Sequence, residues 1–541
     1  MRRGVVVIFI SYMLSLLPCV VQAQRSNASL RQLQKLNRVY GHLQNHYVDS
    51  VDMQPLVESA IRGMLEKLDP HSTYLNEAEM KSEQENFNGE FSGIGVEYNI
   101  LNDTIIVVGT VAQGPAESVG VMPNDRIVEI DGENVVGVSR NEVPPKLRGE
   151  KGSVVNVGIV RRGVQDVLYF AITRNKIPIT TVDAAYLAAD KTGYIKVNRF
   201  GHTTMQEFRE AVEGLGDIDA LILDLDNNGG GLLEQAVEMA GYFLPKKSLI
   251  VSTEGRVIEP QYYYAKDGGL FDGRLVVMIN ENSASGSEIV AGAVQDWDRG
   301  VLVGHDSFGK GLVQSQIPLG DGSAIRLTVA RYHTPSGRTI QRPYERGHKE
   351  EYYKAHAERL QSVGRDTLSS DLRKEYRTLR SGRVVYADGG IKPDVVVGRD
   401  TTLVSDYMVK IIAQGVYSDF VLDYLDKHRS RLEIDYPTFE KFDVEFDLAD
   451  EDMCYLTERA KAKGIAFDNV GFEQSRQLMK IQLSAMIAQR LYSVSEYYQY
   501  INPRVSESYK KSLWLLNNWK SEAEPLLKRN IFPNDDNMCY N

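Results

Sequence analysis

The sequence is poor in the features that mark metalloproteins and nucleic-acid-binding proteins. It has three cysteines in 541 residues, with no paired Cys-x-x-Cys and no His-Glu-x-x-His motif. No metal and no other cofactor is therefore expected. Its formal net charge is −11, and no basic stripe reverses that balance. The charge argues against a nucleic-acid partner.

Long apolar runs are also missing, apart from one near the start. Gly4 to Leu17 is apolar but shorter than the ~20 residues that a spanning helix needs. Together with Arg2-Arg3 and the small residues of Val21-Gln-Ala23, it predicts a signal peptide over 1–23, cleaved before Gln24. We expect export across the inner membrane to the periplasm, although a signal alone does not exclude the exterior. No spanning segment is expected after cleavage.

The cysteines leave two questions open. Cys19 raises the alternative of a lipid-modified protein, but Pro18 directly before it fits a lipid-attachment site poorly. If the signal is removed, Cys454 and Cys539 remain in an oxidising compartment. A disulfide between them is possible, and the sequence does not give their separation.

What the sequence does contain is typical of a large globular protein. Its composition is 43% hydrophobic and 25% charged, and 541 residues exceed one typical core. Apolar residues Leu275 to Ile279 predict a buried strand, and Ser285 to Asp296 has helical spacing. Ser285 therefore falls at a strand-to-helix turn. There it is either an ordinary helix N-cap or a nucleophile. In the second case the N–H of Gly286 would stabilise the oxyanion that forms on the attacked carbonyl.

A lysine between two glycines favours the interpretation of Ser285 as a nucleophile over that of a helix cap. Lys310 lies in Phe308-Gly-Lys-Gly311, just after a second apolar run at Val301 to Gly304. A serine hydroxyl needs a base, and a lysine can serve if burial leaves it neutral. Gln314, four residues on, lies on the same side and is expected to orient the amine.

A glycine-rich turn follows another predicted strand, Ala220 to Asp224. Asp226-Asn-Asn-Gly-Gly-Gly231 permits positive φ and presents backbone N–H groups to an anion. A phosphate loop is the competing interpretation. The sequence lacks the Gly-Lys-Ser/Thr of a P-loop and the Gly-x-Gly-x-x-Gly of a dinucleotide site, which weakens that alternative.

These three stretches together resemble a family, the carboxyl-terminal processing peptidases, which are tail-specific serine proteases with a Ser-Lys dyad. The resemblance covers 35 to about 400. It implies that Ser285 is the nucleophile, Lys310 the general base and Gln314 its positioner. The implied oxyanion donors are Gly286 and either Gly229 or Gly230.

The resemblance also implies the fold class and shows two departures. The expected fold is multidomain α/β, with a crotonase/Clp-like α/β protease core, an inserted PDZ domain, an N-terminal helical module and a C-terminal helical extension. This chain has Asp226 where the family commonly has arginine, and Gly286 where the family usually has alanine. His71, in Asp69-Pro-His71, is expected to have a turn or helix-boundary role rather than a catalytic one.

Composition and periodicity divide the chain accordingly. The stretch from Phe91 to about Lys176 is similar to a PDZ domain, and the loop Gly93, Ile94, Gly95 and Val96 is its implied site for a peptide C-terminal carboxylate. The tail is expected to serve packing or oligomerisation. The predicted segments are a signal (1–23), a helical module (24–84), a PDZ domain (85–176), a protease core (177–400) with a charged, solvated helical insertion (345–382), and a helical domain (401–541).

The resulting hypothesis is a secreted serine endopeptidase that captures protein C-termini through its PDZ domain and cleaves unfolded or C-terminally tailed proteins. A homo-oligomer is left open. Two alternatives stay open. One is a catalytically inactive PDZ scaffold or holdase, and the other is a hydrolase of small amides or esters. The PDZ-like stretch argues against a hydrolase of small amides or esters, because small substrates need no carboxylate-capturing domain.

Overall fold

The computed structural model describes residues 29–101, 103–361, 374–398 and 400–528. The predicted signal peptide, its cleavage site before Gln24, Cys19 and Cys539 lie outside the described residues. Cys454 is exposed on a helix, and its pairing with Cys539 stays a prediction. Among the described residues, no helix combines the length and the apolar character that crossing a membrane requires.

The helices of the described residues are numbered in chain order. They are α1 (29–46), α2 (Met53–Glu66), α3 (Glu77–Asn88), α4 (Pro115–Ser118), α5 (Val143–Leu147), α6 (Thr204–Leu215), α7 (Leu233–Phe243), α8 (Gly286–Asp296), α9 (Lys349–Gln361), α10 (Asp406–Ala413), α11 (Val416–Asp435), α12 (Phe439–Glu445), α13 (Asp450–Ala462), α14 (Asn469–Leu491), α15 (Val494–Val505) and α16 (Glu507–Asn517). Short π- and 3₁₀-helical turns follow at Trp519–Ala523 and Glu524–Leu527.

The strands are numbered in the same way. They are β1 (Thr73–Leu75), β2 (Glu90–Gly93), β3 (Val96–Leu101), β4 (Thr104–Thr110), β5 (Arg126–Ile130), β6 (Glu133–Asn134), β7 (Val154–Val160), β8 (Leu168–Thr173), β9 (Asn175–Pro178), β10 (Val182–Ala189), β11 (Thr192–Val197), β12 (Ala220–Asp224), β13 (Leu249–Glu254), β14 (Gln261–Tyr264), β15 (Arg274–Ile279), β16 (Val301–Gly304), β17 (Leu312–Pro318), β18 (Ala324–His333), β19 (Glu375–Arg377), β20 (Val384–Tyr386) and β21 (Val395–Val396).

The core is a six-stranded sheet in the order β10-β11-β12-β15-β16-β21. Its strands run parallel except at the β10–β11 edge. All five residues of β12 and all four of β16 are buried, as a parallel sheet covered on both faces requires. Helices α7 and α8 belong to the main apolar core on one face. A second sheet contains β1, β18, β13 and β14, with β17 paired to β18.

The stretch similar to a PDZ domain forms its own sheet, β3-β4-β5-β7-β8, with β6 beside β5. Fourteen buried apolar side chains, from Ile94 to Ile172, form its core. The antiparallel pair β2–β9 joins this sheet to the rest of the chain. Strands β3 and β8 lie at the two ends of the strand order, and each pairs with one neighbour within this sheet.

The C-terminal helices have a separate core and contact both other parts. The core is rich in aromatic rings, such as Phe442 stacked on Phe446 at 4.3 Å. Leu422 of α11 packs against apolar side chains of β3 and β4, and Arg490 of α14 forms an ion pair with Glu97 at 2.6 Å. Helix α16 and the turns after it pack on the core sheet.

The segment 345–382, expected to be a solvated helix, differs from that expectation in two ways. Glu375–Arg377 is a strand, because Tyr376 and its neighbours pair antiparallel with β20. One side of α9 is also packed rather than solvated, since Tyr352 is 5% exposed. The helical expectation is therefore wrong at β19. Residues 362–373 lie outside the described part of the chain.

Candidate active site

Three turns meet at one edge of the core sheet. They follow β12, β15 and β16, which are adjacent and parallel. Because parallel strands end at the same edge, the glycine turn, the turn carrying Ser285 and the turn carrying Lys310 lie side by side. The sequence separates Ser285 from the glycine turn by more than fifty residues, and the sheet removes that separation.

Ser285 has an uncommon backbone conformation at the start of α8. Its φ is +54° and its ψ is −109°, a combination that costs on the order of 1–3 kcal/mol for a residue with a side chain. Its N–H donates to Oε2 of Glu288 at 2.8 Å. This bond, at the N3 position of the helix, holds the turn and leaves the side chain half-buried.

Glu288 joins the serine turn to the lysine turn. Its fully buried carboxylate accepts N–H groups from Ser285 and Lys310 at 2.8 Å each, and from Gly309 at 2.7 Å. It also accepts the hydroxyl of Ser307 at 2.5 Å. Burial raises the pKa of Glu288, although these four donors oppose the rise. The sequence contained a signal for this role, the Ser-x-x-Glu spacing of a capping box.

Tyr332 makes a second connection between the same two turns. Its hydroxyl lies 2.5 Å from the carbonyl oxygen of Lys310 and 3.3 Å from that of Ser285. The side chain is 2% exposed and belongs to β18. No local sequence pattern marks this residue, because the contact depends on how two sheets pack.

The surroundings of Lys310 act on the pKa of its amine in two directions. Burial lowers the pKa of Lys310, while the carboxylates of Glu288 and Asp69 oppose the shift. The main chain of its turn is held on both sides, since the N–H of Phe308 donates to the carbonyl oxygen of Ser283 and the N–H of Gly311 donates to the side-chain oxygen of Gln341, at 2.9 Å each. Gly309 has a φ of +87°, and a Cβ there would lie 3.1 Å from the nitrogen of Gly390. The flanking glycine therefore permits the close packing of this turn.

Gln314 and His71 meet beside this turn. The side-chain amide of Gln314 donates through its nitrogen to the carbonyl oxygen of His71 at 2.7 Å. His71 is 9% exposed, and burial lowers its pKa to about 4. The imidazole is therefore neutral near pH 7.

His71 lies in a turn that Asp69 organises. The carboxylate of Asp69 accepts the N–H groups of His71 and Ser72 at 2.9 Å each, and the Ser72 hydroxyl at 2.6 Å. The turn follows α2 and leads into β1. This placement agrees with the turn role expected for His71, and it also puts the ring near Lys310.

The glycine turn approaches Ser285 too closely for side chains. A Cβ at Gly230 would lie 2.7 Å from Cβ of Ser285 and 2.8 Å from the nitrogen of Gly286. Gly230 and Gly231 also have φ values of +94° and +146°. The N–H of Gly230 donates to the side chain of Asn228 at 2.9 Å. The N–H of Gly286 belongs to the first turn of α8, where N–H groups have no partner within the helix.

Hydrogen bonds join the glycine turn to the serine turn. The carbonyl of Asn228 accepts the N–H of Ala284 at 2.9 Å and the hydroxyl of Ser287 at 2.8 Å. The hydroxyl of Ser283 donates to Leu225 at 2.8 Å. Ser283 and Ser287 are thus used for structure, which distinguishes them from Ser285.

The loop Gly93 to Val96 lies between β2 and β3. Gly95 has a φ of +74°, and its carbonyl accepts the N–H of Val111 at 2.9 Å. The carbonyl of Ile94 accepts the N–H of Ala116 at 2.9 Å, and its side chain is 2% exposed within the apolar core. The carbonyls are therefore directed into the domain, next to the edge strand β3.

Comparison with known proteins identifies four parts of the chain. Residues 191–347 match peptidase family S41, 81–160 match the PDZ domain, and 17–79 match the N-terminal domain of the activating protease CtpB. Residues 407–493 match a family of unknown function. These matches agree with the fold class expected from the sequence.

Curated relatives and solved structures are similar over about 60% of the chain. The carboxy-terminal-processing protease of Bartonella bacilliformis is 37% identical over 62% of this chain and 78% of its own length. The carboxy-terminal processing protease CtpB of Bacillus subtilis is 35% identical over 59% of this chain and 68% of its own. The photosystem II D1 C-terminal processing protease is 30% identical with a TM-score of 0.33, over 57% of this chain and 83% of that one. The chain belongs to the carboxy-terminal processing proteases of peptidase family S41.

Proposed function

We propose that this protease is a secreted serine endopeptidase that uses Ser285 as nucleophile and Lys310 as general base. The observation that carries the proposal is the shared anchoring of the two residues. Glu288 accepts both backbone N–H groups, and Tyr332 contacts both carbonyls. Burial lowers the pKa of Lys310, as a lysine base requires.

In this mechanism the neutral amine of Lys310 takes the proton of the Ser285 hydroxyl. The oxygen attacks a peptide carbonyl, and the amine returns the proton to the leaving nitrogen. Water then hydrolyses the acyl-enzyme with Lys310 again as base. Gln314 orients the amine through its side-chain oxygen, since its nitrogen is engaged by His71.

The proposed oxyanion donors are the N–H of Gly286 and an N–H of the glycine turn. Gly286 supports this role because the N-terminus of α8 favours negative charge. Gly229 is favoured over Gly230 as the second donor, because the N–H of Gly230 already donates to Asn228. The alanine that relatives usually have at position 286 is not needed here, since the donor is backbone.

The proposed substrates are unfolded or C-terminally tailed exported proteins, captured through the PDZ domain. The N–H groups of Ile94, Gly95 and Val96 hold the terminal carboxylate, while the peptide adds as a strand to the free edge of β3. Export to the periplasm is supported by the signal-like pattern over 1–23.

The first experiment tests the nucleophile and base. Mature protein is incubated with an unfolded protein that has an apolar C-terminus, and cleavage is followed by gel electrophoresis. We expect Ser285→Ala to abolish cleavage, and Lys310→Ala to lower kcat by about 10²–10⁴-fold, as loss of a general base does. The exposed Ser82→Ala is the matched control. Equal cleavage by wild type and Ser285→Ala would refute the dyad, and binding without turnover by wild type would support the scaffold alternative.

The second prediction concerns pH. Only the neutral amine is active, so kcat/KM should rise with pH through the lowered pKa of Lys310. The ascending limb should therefore lie below the ordinary lysine pKa of 10.5. Lys310→Arg should be inactive at every pH, because arginine is never neutral. A limb centred near pH 4 would instead report His71, whose pKa is about 4.

The third prediction concerns the C-terminus of the substrate. Amidating it removes the charge that the loop 93–96 binds. Hydrogen bonds to a charged group contribute about 1.5–3 kcal/mol, so kcat/KM should fall about 10- to 100-fold. A rise in KM alone means that the PDZ domain tethers, and a fall in kcat means that it activates. Equal cleavage of the acid and amide forms would contradict carboxylate capture.

The fourth prediction concerns assembly, which we propose to be homo-oligomeric through the N-terminal helices. Most apolar side chains of α1 are exposed, with Leu33 at 56% and Leu36 at 47%. An apolar helix face of this kind favours burial against a second copy. Sedimentation velocity should show a lower mass for the Leu33→Lys, Leu36→Lys double variant than for Gln34→Lys on the same helix. A monomeric wild type at all concentrations would overturn the proposal.

A further inference from the structure

A buried group of charged and polar side chains lies where the glycine turn begins. Lys196 of β11 and Asp224 of β12 are paired in register, and their exposures are 4% and 3%. Neither is a member of the proposed dyad or of its oxyanion donors. A buried ion pair is a weak source of stability, because the cost of desolvation can exceed the attraction. Its presence at this position calls for another role.

The carboxylate of Asp224 is held by three donors. Oδ1 accepts Nζ of Lys196 at 2.9 Å and the N–H of Asp226 at 2.7 Å. Oδ2 accepts the hydroxyl of Tyr194 at 2.5 Å. Nζ of Lys196 also donates to the carbonyl of Asp226. Both backbone polar groups of Asp226, the first residue of the glycine turn, are thus fixed by one ion pair.

The position of Asp226 affects Ser285 through very few residues. Asn228, two residues on, bonds to Ala284 and Ser287 in the serine turn. Gly230 lies so close to Ser285 that a single added carbon would be 2.7 Å from it. A displacement of the turn at Asp226 therefore changes the distance between the oxyanion donors and the nucleophile. Catalysis is sensitive to misplacements of about 1 Å.

We propose that Asp224, fixed by Lys196 and Tyr194, is the positioning group that sets the glycine turn against Ser285. The proposal rests on the serine mechanism proposed above. It also explains how this chain orders the turn with Asp226 in place of the family's usual arginine, because the bonds that hold Asp226 go to its backbone. The side chain at 226 is not required for them.

The C-terminal helices enclose this group. The ring of Tyr194 lies 5.6 Å from Tyr509 of α16 and 6.5 Å from Tyr498 of α15. The ring of Tyr186 also lies near Tyr194, at 4.8 Å, and the hydroxyl of Tyr186 accepts a hydrogen bond from Asn502 of α15 at 3.0 Å. Exclusion of water strengthens the hydrogen bonds to Asp224. Helices α15 and α16 are thus the cover of the positioning group.

The test uses the mature protein with all of its domains and the unfolded substrate with an apolar C-terminus. Lys196→Met removes both donations from the ammonium, and we expect kcat to fall about 10²-fold with KM unchanged, the scale of a misplaced active-site group. Tyr194→Phe removes one hydrogen-bond donor to Asp224 and should lower kcat by less than Lys196→Met does. Lys196→Arg keeps the charge and should retain more activity than Lys196→Met.

Tyr186→Phe is the matched control, because it deletes a hydroxyl from the neighbouring ring without touching Asp224. It should keep wild-type kcat, and thermal unfolding should show that each variant folds. Equal losses in Tyr194→Phe and Tyr186→Phe, or wild-type kcat in Tyr194→Phe and in a folded Lys196→Met, would overturn the proposal. If Lys196→Met does not fold, the comparison of the two tyrosine variants decides.

Ser285→Ala, measured in the same assay, separates this proposal from the serine mechanism. If Ser285→Ala cleaves as fast as wild type, the mechanism fails and the positioning role fails with it. If Ser285→Ala is inactive while Tyr194→Phe matches wild type and the folded Lys196→Met does too, only the positioning role of Asp224 fails.

Discussion

The site depends on one buried carboxylate, that of Glu288. Its two oxygens accept the backbone N–H groups of Ser285, Gly309 and Lys310 and the hydroxyl of Ser307. Burying a carboxylate without partners is very costly, and four donors offset that cost. Because the donors come from two different turns, the same interaction that stabilises Glu288 fixes the distance between those turns. The geometry of the site therefore follows from satisfying one side chain.

The strained backbone of Ser285 has the same explanation. A φ of +54° with a ψ of −109° persists only where the surroundings over-determine it. Glu288 accepts the N–H, Tyr332 contacts the carbonyl, and Gly230 lies so close that an added Cβ would be 2.7 Å from Cβ of Ser285. These contacts keep the backbone of Ser285 in its strained conformation, in the turn that follows β15 at the edge of the sheet.

Short-range patterns in the sequence mark the parts of the candidate site that depend on local geometry. A serine at a strand-to-helix turn, a lysine between glycines and a run of three glycines each have a physical signature within a few residues. Tyr332, Lys196 and Asp224 have none, because their contacts depend on strand register and on how two sheets pack. The strand at Glu375–Arg377 was missed for a related reason, since its partner lies across the turn at β20. Glu288 is intermediate. Its capping-box spacing marks a helix start, and only the fold shows that the same oxygens reach Lys310.

The environment of Lys310 decides whether its amine can act as a base. The carboxylates of Glu288 and Asp69 favour the ammonium form, and burial favours the neutral one. Asp69 is held as an anion by its own turn, because hydrogen bonds from Ser72 and from the N–H of His71 lower the pKa of Asp69 in spite of burial. Asp69 therefore remains negatively charged near pH 7 and raises the pKa of Lys310. The neutral amine requires that desolvation lower this pKa by more than the carboxylates raise it.

Aromatic packing is one source of that desolvation. Phe308, two residues before Lys310, lies 6.2 Å from the ring of His71, 6.1 Å from Tyr352 and 4.6 Å from His356. Tyr352 and His356 belong to α9, which also reaches the turn through Arg359, a donor to the carbonyl of Ser307 at 2.9 Å. One side of α9 thus covers part of the lysine turn, while its other side is exposed. Desolvation lowers the pKa of a lysine, and a lysine on the surface stays an ammonium ion. The contacts that pack α9 against the lysine turn therefore also bear on whether Lys310 can act as a base.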